Sequence, residues 1–184
     1  SKNGKPLPIL APNGNGSVFK SFEGSGLLAL FEKKGVDLVS IVPVENILAD
    51  PADSQFITFI RKNQLTAGVK CIERQEGHAP MGALVTREGR LEIIEYMEMD
   101  EPYRYSYVGM MAMELAFMKK MAGILLPIHW VWKKGGGSFA WKGEKFIFDA
   151  LVYAERASAL CFPRDKVYAP LKKEADLKEI LSIL

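Results

Sequence analysis

Apolar residues near the start of the chain fall at helical spacing. Val18, Phe19, Phe22, Leu27, Leu28, Leu30 and Phe31 follow the turn-rich Pro12-Asn13-Gly14-Asn15-Gly16 and predict a helix that opens at Ser17. Gly24 and Gly26 are expected to bend or split it, and Gly35 to end it after Lys33 and Lys34, cations suited to a helix C-terminus. Residues 36–44 form a β-branched run between turn signals, which predicts a buried strand with Glu45-Asn46 at its C-terminal end, where open α/β sheets place ligand groups. Asp50-Pro51-Ala52-Asp53 then starts a second helix carrying Phe56, Ile57, Phe59 and Ile60.

From Thr66 the pattern shifts toward strands, predicted at 67–74, 81–86 and 91–97, the last two joined as a hairpin through Glu88-Gly89-Arg90. Residues 105–109 read as a further strand and 110–121 as a Met-rich core helix. Segments 128–133 and 138–141 flank Gly135-Gly136-Gly137 as a hairpin. An amphipathic helix over 144–156, a short strand over 159–163 and a closing helix over 173–184 complete the prediction. Helix and strand alternate early and hairpins cluster later, so the expected fold is a single α/β domain with a mixed sheet.

Composition narrows the class. The 184 residues are 48% hydrophobic and 25% charged, enough to bury a core in one domain. The 24 basic and 22 acidic residues are scattered, with a formal net charge of +2, so no basic stripe points to nucleic acid. Cys71 and Cys161 lie far apart in the sequence without a CxxC or Cys/His pattern, which removes a zinc signature and a disulfide framework. Both thiols sit in apolar runs and read as core residues, and a reducing cytoplasmic setting is expected. The nearly apolar run 121–132 is too short to span a bilayer and is interrupted by Pro127 and His129, so no membrane association is expected. Ser1-Lys2-Asn3-Gly4-Lys5-Pro6 reads as a hairpin turn rather than a targeting signal.

Candidate chemistry is sparse. Gly14-Asn15-Gly16 ahead of a helix either brings backbone N–H groups close to a ligand or is an ordinary turn. Glu45 at a strand end either holds Mg²⁺ beside phosphates or is a solvated acid. Glu95 follows two isoleucines and is the inward-facing member of the pair Glu95 and Glu98, suited to accept hydrogen bonds from hydroxyls. Lys142 and Lys145 either neutralise phosphate or are solvated. His78 and His129 read as structural, and no Ser/His/Asp or Cys/His constellation is present.

Ala11-Pro12-Asn13-Gly14-Asn15-Gly16 is similar to the Ala-Pro-Asp-Gly-Asn-Gly segment of UDP-sugar pyrophosphorylases of the UDP-N-acetylglucosamine type. Val44-Glu45-Asn46-Ile47-Leu48 resembles their Val-Asp-Asn-Ile-Leu, and Pro80-Met81-Gly82 their Pro-Val-Gly step. Ile93-Ile94-Glu95-Tyr96-Met97-Glu98 resembles Val-Val-Glu-Tyr-Ser-Glu. Lys142-Gly143-Glu144-Lys145-Phe146-Ile147-Phe148-Asp149 resembles Lys-Met-Glu-Lys-Phe-Val-Phe-Asp, and Ala169-Pro170-Leu171-Lys172 resembles Ser-Pro-Leu-Lys. The matches keep their order along nearly the whole chain.

The resemblance implies a Rossmann-like (GT-A-like) nucleotidyltransferase fold that joins UTP to a hexose 1-phosphate with Mg²⁺. By the same resemblance Gly14 and Asn15 face the nucleotide, Asn15, Gly82 and Glu95 the sugar, Lys142 the phosphates, and Glu45 the metal. Two departures stand out. Gly109-Met110-Met111 replaces a Gly-Asn-Ile step that supplies a sugar-facing amide. The family's glycine-rich loop, Leu-x-Gly-Gly-x-Gly-Thr-x-Leu-Gly, occurs nowhere in the chain. The expectation is therefore a catalytic domain incomplete on its N-terminal side, impaired alone and able to self-associate through the surface left open. The alternative is a sugar-nucleotide-binding or regulatory module without turnover. A glycosyltransferase is disfavoured because no Asp-x-Asp motif occurs.

Overall fold

The computed structural model describes residues 11–75, 81–95, 98–99, 102–135, 138–174 and 176–181. The turn expected at 1–6 and His78 lie outside the described residues.

Gly24 and Gly26 divide the first helix as expected: α1 (Val18–Gly24) gives way to α2 (Leu27–Lys33) across Gly26, whose φ of 77° is left-handed. Strand β1 (Leu38–Ile41) follows, then α3 (Ser54–Lys62). Asp53 caps α3 by accepting the Phe56 N–H at 3.1 Å, satisfying a donor that no preceding turn can reach. Strands β2 (Ala67–Glu73), β3 (Ala83–Arg87), β4 (Arg90–Ile94) and β5 (Tyr105–Glu114) lead into α4 (Leu115–Ala122). The β3–β4 turn places Glu88 and Gly89 at φ 50° and 75°, the twist that a two-residue hairpin requires.

A separate hairpin, β6 (His129–Gly135) with β7 (Ser138–Glu144), precedes a 3-10 segment (Ile147–Tyr153). Strand β8 (Ala157–Cys161), α5 (Arg164–Val167) and α6 (Asp176–Leu181) end the described chain.

The main sheet runs β4-β3-β5-β2-β8, with β1 also pairing with β5. Among the described residues only β2 and β8 pair in parallel, so the sheet is mixed, as expected. Alternation along β5 divides the core. Met111 and Met113 join Phe19, Leu28, Met118 and Leu151 on the face covered by α1, α2, α4 and the 3-10 segment. Val108, Met110 and Ala112 join Phe56, Ile60 and Phe162 on the face covered by α3 and α5.

Several boundaries move. The strand expected over 36–44 is only β1, its residues half-buried rather than buried, and Val44 stands 98% exposed beyond Pro43. The Met-rich stretch expected to be helical from 110 is strand to Glu114, because β2 and β1 hydrogen-bond it on either edge and unbranched Met packs well on both faces. The helix expected over 144–156 is instead the end of β7 followed by the 3-10 segment, whose Ile147, Phe148, Ala150 and Leu151 are all buried. The strand expected over 159–163 begins earlier, at Ala157, where Arg156 and Ala157 meet the start of β2. Cys161 is exposed, not a core thiol.

Candidate functional site

The Asn13–Gly16 loop is clamped to the chain just past β7. Gly16 N–H donates to the Lys145 carbonyl at 2.9 Å, and Lys145 N–H donates to the Asn13 carbonyl at 3.0 Å. Gly14 has φ 82°, and a Cβ there would collide with the Lys145 backbone, so the loop tolerates no side chain at this position. Asn15 Oδ1 accepts the Ile147 N–H at 2.9 Å. That bond fixes the orientation of the amide, which leaves the two Nδ2 donors to offer to a ligand.

The opposite side is assembled from distant segments. After β1 the chain turns at Pro43, with Asn46 N–H donating to the Pro43 carbonyl at 3.2 Å. Asn46 is buried; its Nδ2 donates to the Val167 carbonyl at 2.7 Å and its Oδ1 accepts the Ala169 N–H at 2.8 Å. Leu171 N–H adds a bond to the Glu45 carbonyl at 2.7 Å. This antiparallel contact brings Glu45 and Lys172 to one cavity of about 280 Å³.

The same cavity is lined by Asn15, Gly82 and Glu95, so the structure gathers four of the site residues expected from sequence. Gly82 lies where a Cβ would come within 2.9 Å of Ile93 Cγ2, and its carbonyl accepts the Tyr107 N–H at 2.8 Å. Gly109, at φ 81°, also lines the cavity, and a Cβ there would press on the Pro43 ring. Aromatic rings supply an apolar wall: Phe146 and Phe148 stack at 5.0 Å, and Tyr107 meets Phe148 edge-on at 6.2 Å. Burial pushes the Tyr107 phenol well above its ordinary range, so it remains a hydroxyl at any physiological pH.

Lys142 is placed elsewhere. It sits on β7 opposite Val131 and donates to Glu144 Oε1 at 2.6 Å, outside the lining of the cavity. The lysine that lines it is Lys172, which sequence reasoning noted within Ala169-Pro170-Leu171-Lys172 without giving it a role. Met110 is 1% exposed and packed in the α3-side core, so the position that departs from the family step presents no group to the cavity. His129 packs its ring 4.8 Å from Phe146, with Nδ1 3.3 Å from Glu98 and Nε2 2.9 Å from Asp149. Burial lowers the His129 pKa, but the two carboxylates outweigh it and the net direction is up.

A larger open groove of about 630 Å³ runs beside α2, α3 and α4. Its two cations are each paired, Arg61 with Asp37 at 2.6 Å and Lys119 with Glu32 at 2.8 Å, so it offers a phosphate no unpaired cation. Among the described residues no three His, Cys, Asp or Glu side chains cluster to hold a metal, and no helix is long and apolar enough to cross a membrane.

Comparison with known proteins bears on this geometry. UDP-N-acetylglucosamine diphosphorylase 2 of Arabidopsis thaliana is 27% identical over 88% of this chain and 37% of its own length. Human UDP-N-acetylhexosamine pyrophosphorylase-like protein 1 is 26% identical over 91% of this chain and 38% of its own. The chain spans about half or less of the length of these curated relatives. In fold it is similar to the UDP-N-acetylglucosamine pyrophosphorylase of Trypanosoma brucei, with a TM-score of 0.80 at 22% identity over 93% of this chain and 42% of that one. It is similar also to a UDP-glucose pyrophosphorylase mutant of Leishmania major in complex with UDP-glucose, with a TM-score of 0.76 at 20% identity over 91% of this chain and 41% of that one. The model of the UTP–glucose-1-phosphate uridylyltransferase family matches residues 2–106, more than half of the sequence, and the chain belongs to that family.

Proposed function

We propose that the cavity is the nucleotide-sugar site of a UDP-sugar pyrophosphorylase, which forms a UDP-sugar and pyrophosphate from UTP and a hexose 1-phosphate. The observation that carries this reading is the convergence of Asn15, Glu45, Gly82, Glu95 and Lys172 on one cavity from five separate stretches of chain. In the reaction a sugar-phosphate oxygen bonds to the α-phosphorus of UTP as the bond to pyrophosphate breaks. No covalent enzyme intermediate is required, so the protein's task is alignment and charge neutralisation.

Each residue has a part suited to its chemistry. Gly14 packs its bare backbone against Lys145 rather than lining the cavity, which sets the loop so that the Asn15 Nδ2 donors meet ligand oxygens. The Glu95 carboxylate accepts sugar hydroxyls beside Gly82, and Lys172 offsets phosphate charge. Glu45 is the residue that would hold Mg²⁺. A single half-buried carboxylate fits that ion, which commonly takes one or two protein carboxylates and completes its shell with phosphate oxygens and water. When bound, Mg²⁺ supplies charge neutralisation at the phosphates. The relatives' names favour an N-acetylated hexose over glucose.

Calorimetry of the chain with UTP, UDP-N-acetylglucosamine and UDP-glucose, followed by a Mg²⁺-dependent pyrophosphate-release assay, tests the proposal. Binding with release supports it. Binding without release favours the non-catalytic binding module, and absence of binding to all three ligands overturns the site assignment.

A further inference from the structure

The two cysteines, distant in sequence, are directly opposite each other in the sheet: Cys71 of β2 pairs in register with Cys161 of β8. In-register residues on neighbouring parallel strands present their side chains on the same face, with strands about 4.8 Å apart. That spacing lies inside the range of about 4.4–6.8 Å between Cα atoms that a disulfide bridges. The Cys161 Sγ–H donates to the Phe162 carbonyl at 4.0 Å, on the residue whose N–H bonds back to Cys71. Both line an open cavity of about 390 Å³, together with Leu84, Leu91 and Tyr105.

The two sulfurs differ in a way that assigns their roles. Cys161 is exposed, whereas Cys71 is buried. Burial, reinforced by the Cys161 neighbour, pushes the Cys71 thiol up to about 12, so it keeps its proton.

We propose that Cys71 and Cys161 are a modifiable dithiol, which hydrogen peroxide converts to a reversible disulfide that joins β2 to β8. The Cys161 thiolate attacks the peroxide, its sulfur gains one oxygen as a sulfenic acid, and the other oxygen leaves as hydroxide, protonated to water. The Cys71 sulfur then bonds to the Cys161 sulfur, and the sulfenic oxygen departs as water with the Cys71 proton. Two thiols lose two electrons and two protons, and the peroxide is reduced to two waters. The bridge sits next to the Cys71 carbonyl that accepts the Phe162 N–H at 2.9 Å, at the start of the segment that carries Lys172 to the nucleotide-sugar cavity.

The test is hydrogen peroxide titration of the reduced chain, read by intact mass, non-reducing electrophoresis and peptide mapping. The expected result is loss of the mass of two hydrogen atoms, simultaneous loss of both free thiols, a linked Cys71–Cys161 peptide in a monomeric band, and full reversal by dithiothreitol. Cys161→Ser, a surface change, is expected to leave Cys71 reduced at the same dose. Oxygen uptake by Cys161 while Cys71 stays reduced in the unsubstituted chain, or a disulfide between two chains, would overturn the proposal. The result does not depend on the ligand assigned to the other cavity, so the two readings fail separately.

Discussion

Asn46 is bound to Ala169 across 123 positions of sequence, its Oδ1 accepting the Ala169 N–H at 2.8 Å. The same side chain donates to the Val167 carbonyl, so one amide ties the turn after β1 to the segment after α5. Glu45 and Lys172 face a common cavity because of that tie. Asn46→Ala leaves a buried donor and a buried acceptor without their partner, an expected loss of about 2–4 kcal/mol in urea unfolding. Asn46→Asp keeps the acceptor and sets a carboxylate oxygen against the Val167 carbonyl. It is expected to lose stability too, with partial recovery on protonation in acid.

Lys70 is 2% exposed in the middle of β2, with the Phe56 and Phe162 rings within 5.4 and 5.0 Å of its ammonium and the Asp53 carboxylate at 2.5 Å. Removing the anion leaves a buried cation unpaired and uncaps α3, so Asp53→Ala is expected to cost about 3–5 kcal/mol. Lys70→Met replaces the cation with an apolar chain of similar length and leaves the cap in place, so its cost is expected to stay below about 1.5 kcal/mol. Burial raises the Asp53 pKa, but the Lys70 hydrogen bond and the Phe56 N–H outweigh it and the net shift is downward. Its stabilisation is thus present above the unfolded carboxylate value of 3.8 and lost as pH falls through the lower folded value. Acid unfolding of Asp53→Asn should lack that component.

His129 lies between two carboxylates, one at each ring nitrogen, and only the doubly protonated imidazolium donates to both. Its raised pKa gives stabilisation that is full below the unfolded value of 6.5 and lost as pH rises through the higher folded value. Denaturant midpoints measured across that interval should fall with pH for the natural chain and stay flat for His129→Gln. A flat profile for the natural chain would contradict the imidazolium.

Gly14→Ala forces a Cβ against the Lys145 backbone at a left-handed φ, and is expected to weaken UDP-sugar binding by about tenfold or more through displacement of the loop. Calorimetry against the unchanged chain measures this directly.

The two lysines can be ranked in the same experiment. Lys172→Ala is expected to cost about 2 kcal/mol of UDP-sugar affinity, the scale of a hydrogen bond to a charged group, whereas Lys142→Ala should change it by less than about 0.5 kcal/mol. The opposite order would return the phosphate role to Lys142.

Much of the local structure was legible in the residues. Glycines at 24 and 26 cannot sustain a helix as alanine would, and the chain does break there. Asp53 ahead of Phe56, Ile57, Phe59 and Ile60 marked a cap and an apolar face, and both are present. The site segments around Asn15, Glu45, Gly82 and Glu95 could be picked out because their residue order is similar to a known family's, and the cavity gathers them.

The α/β class, the glycine turns, the helix cap and the family could all be read from the residues, since these rest on torsional preference, short-range periodicity and residue order. That Met110 to Met113 are strand follows from their long-range pairing, because the helix and strand readings of a short methionine run differ in whether neighbouring strands are present to share its hydrogen bonds. Tertiary contacts alone set Cys71 opposite Cys161, and Lys172 rather than Lys142 beside Glu45. Strand register and the meeting of remote segments are settled by how the whole core packs, a free energy that no local stretch of residues contains.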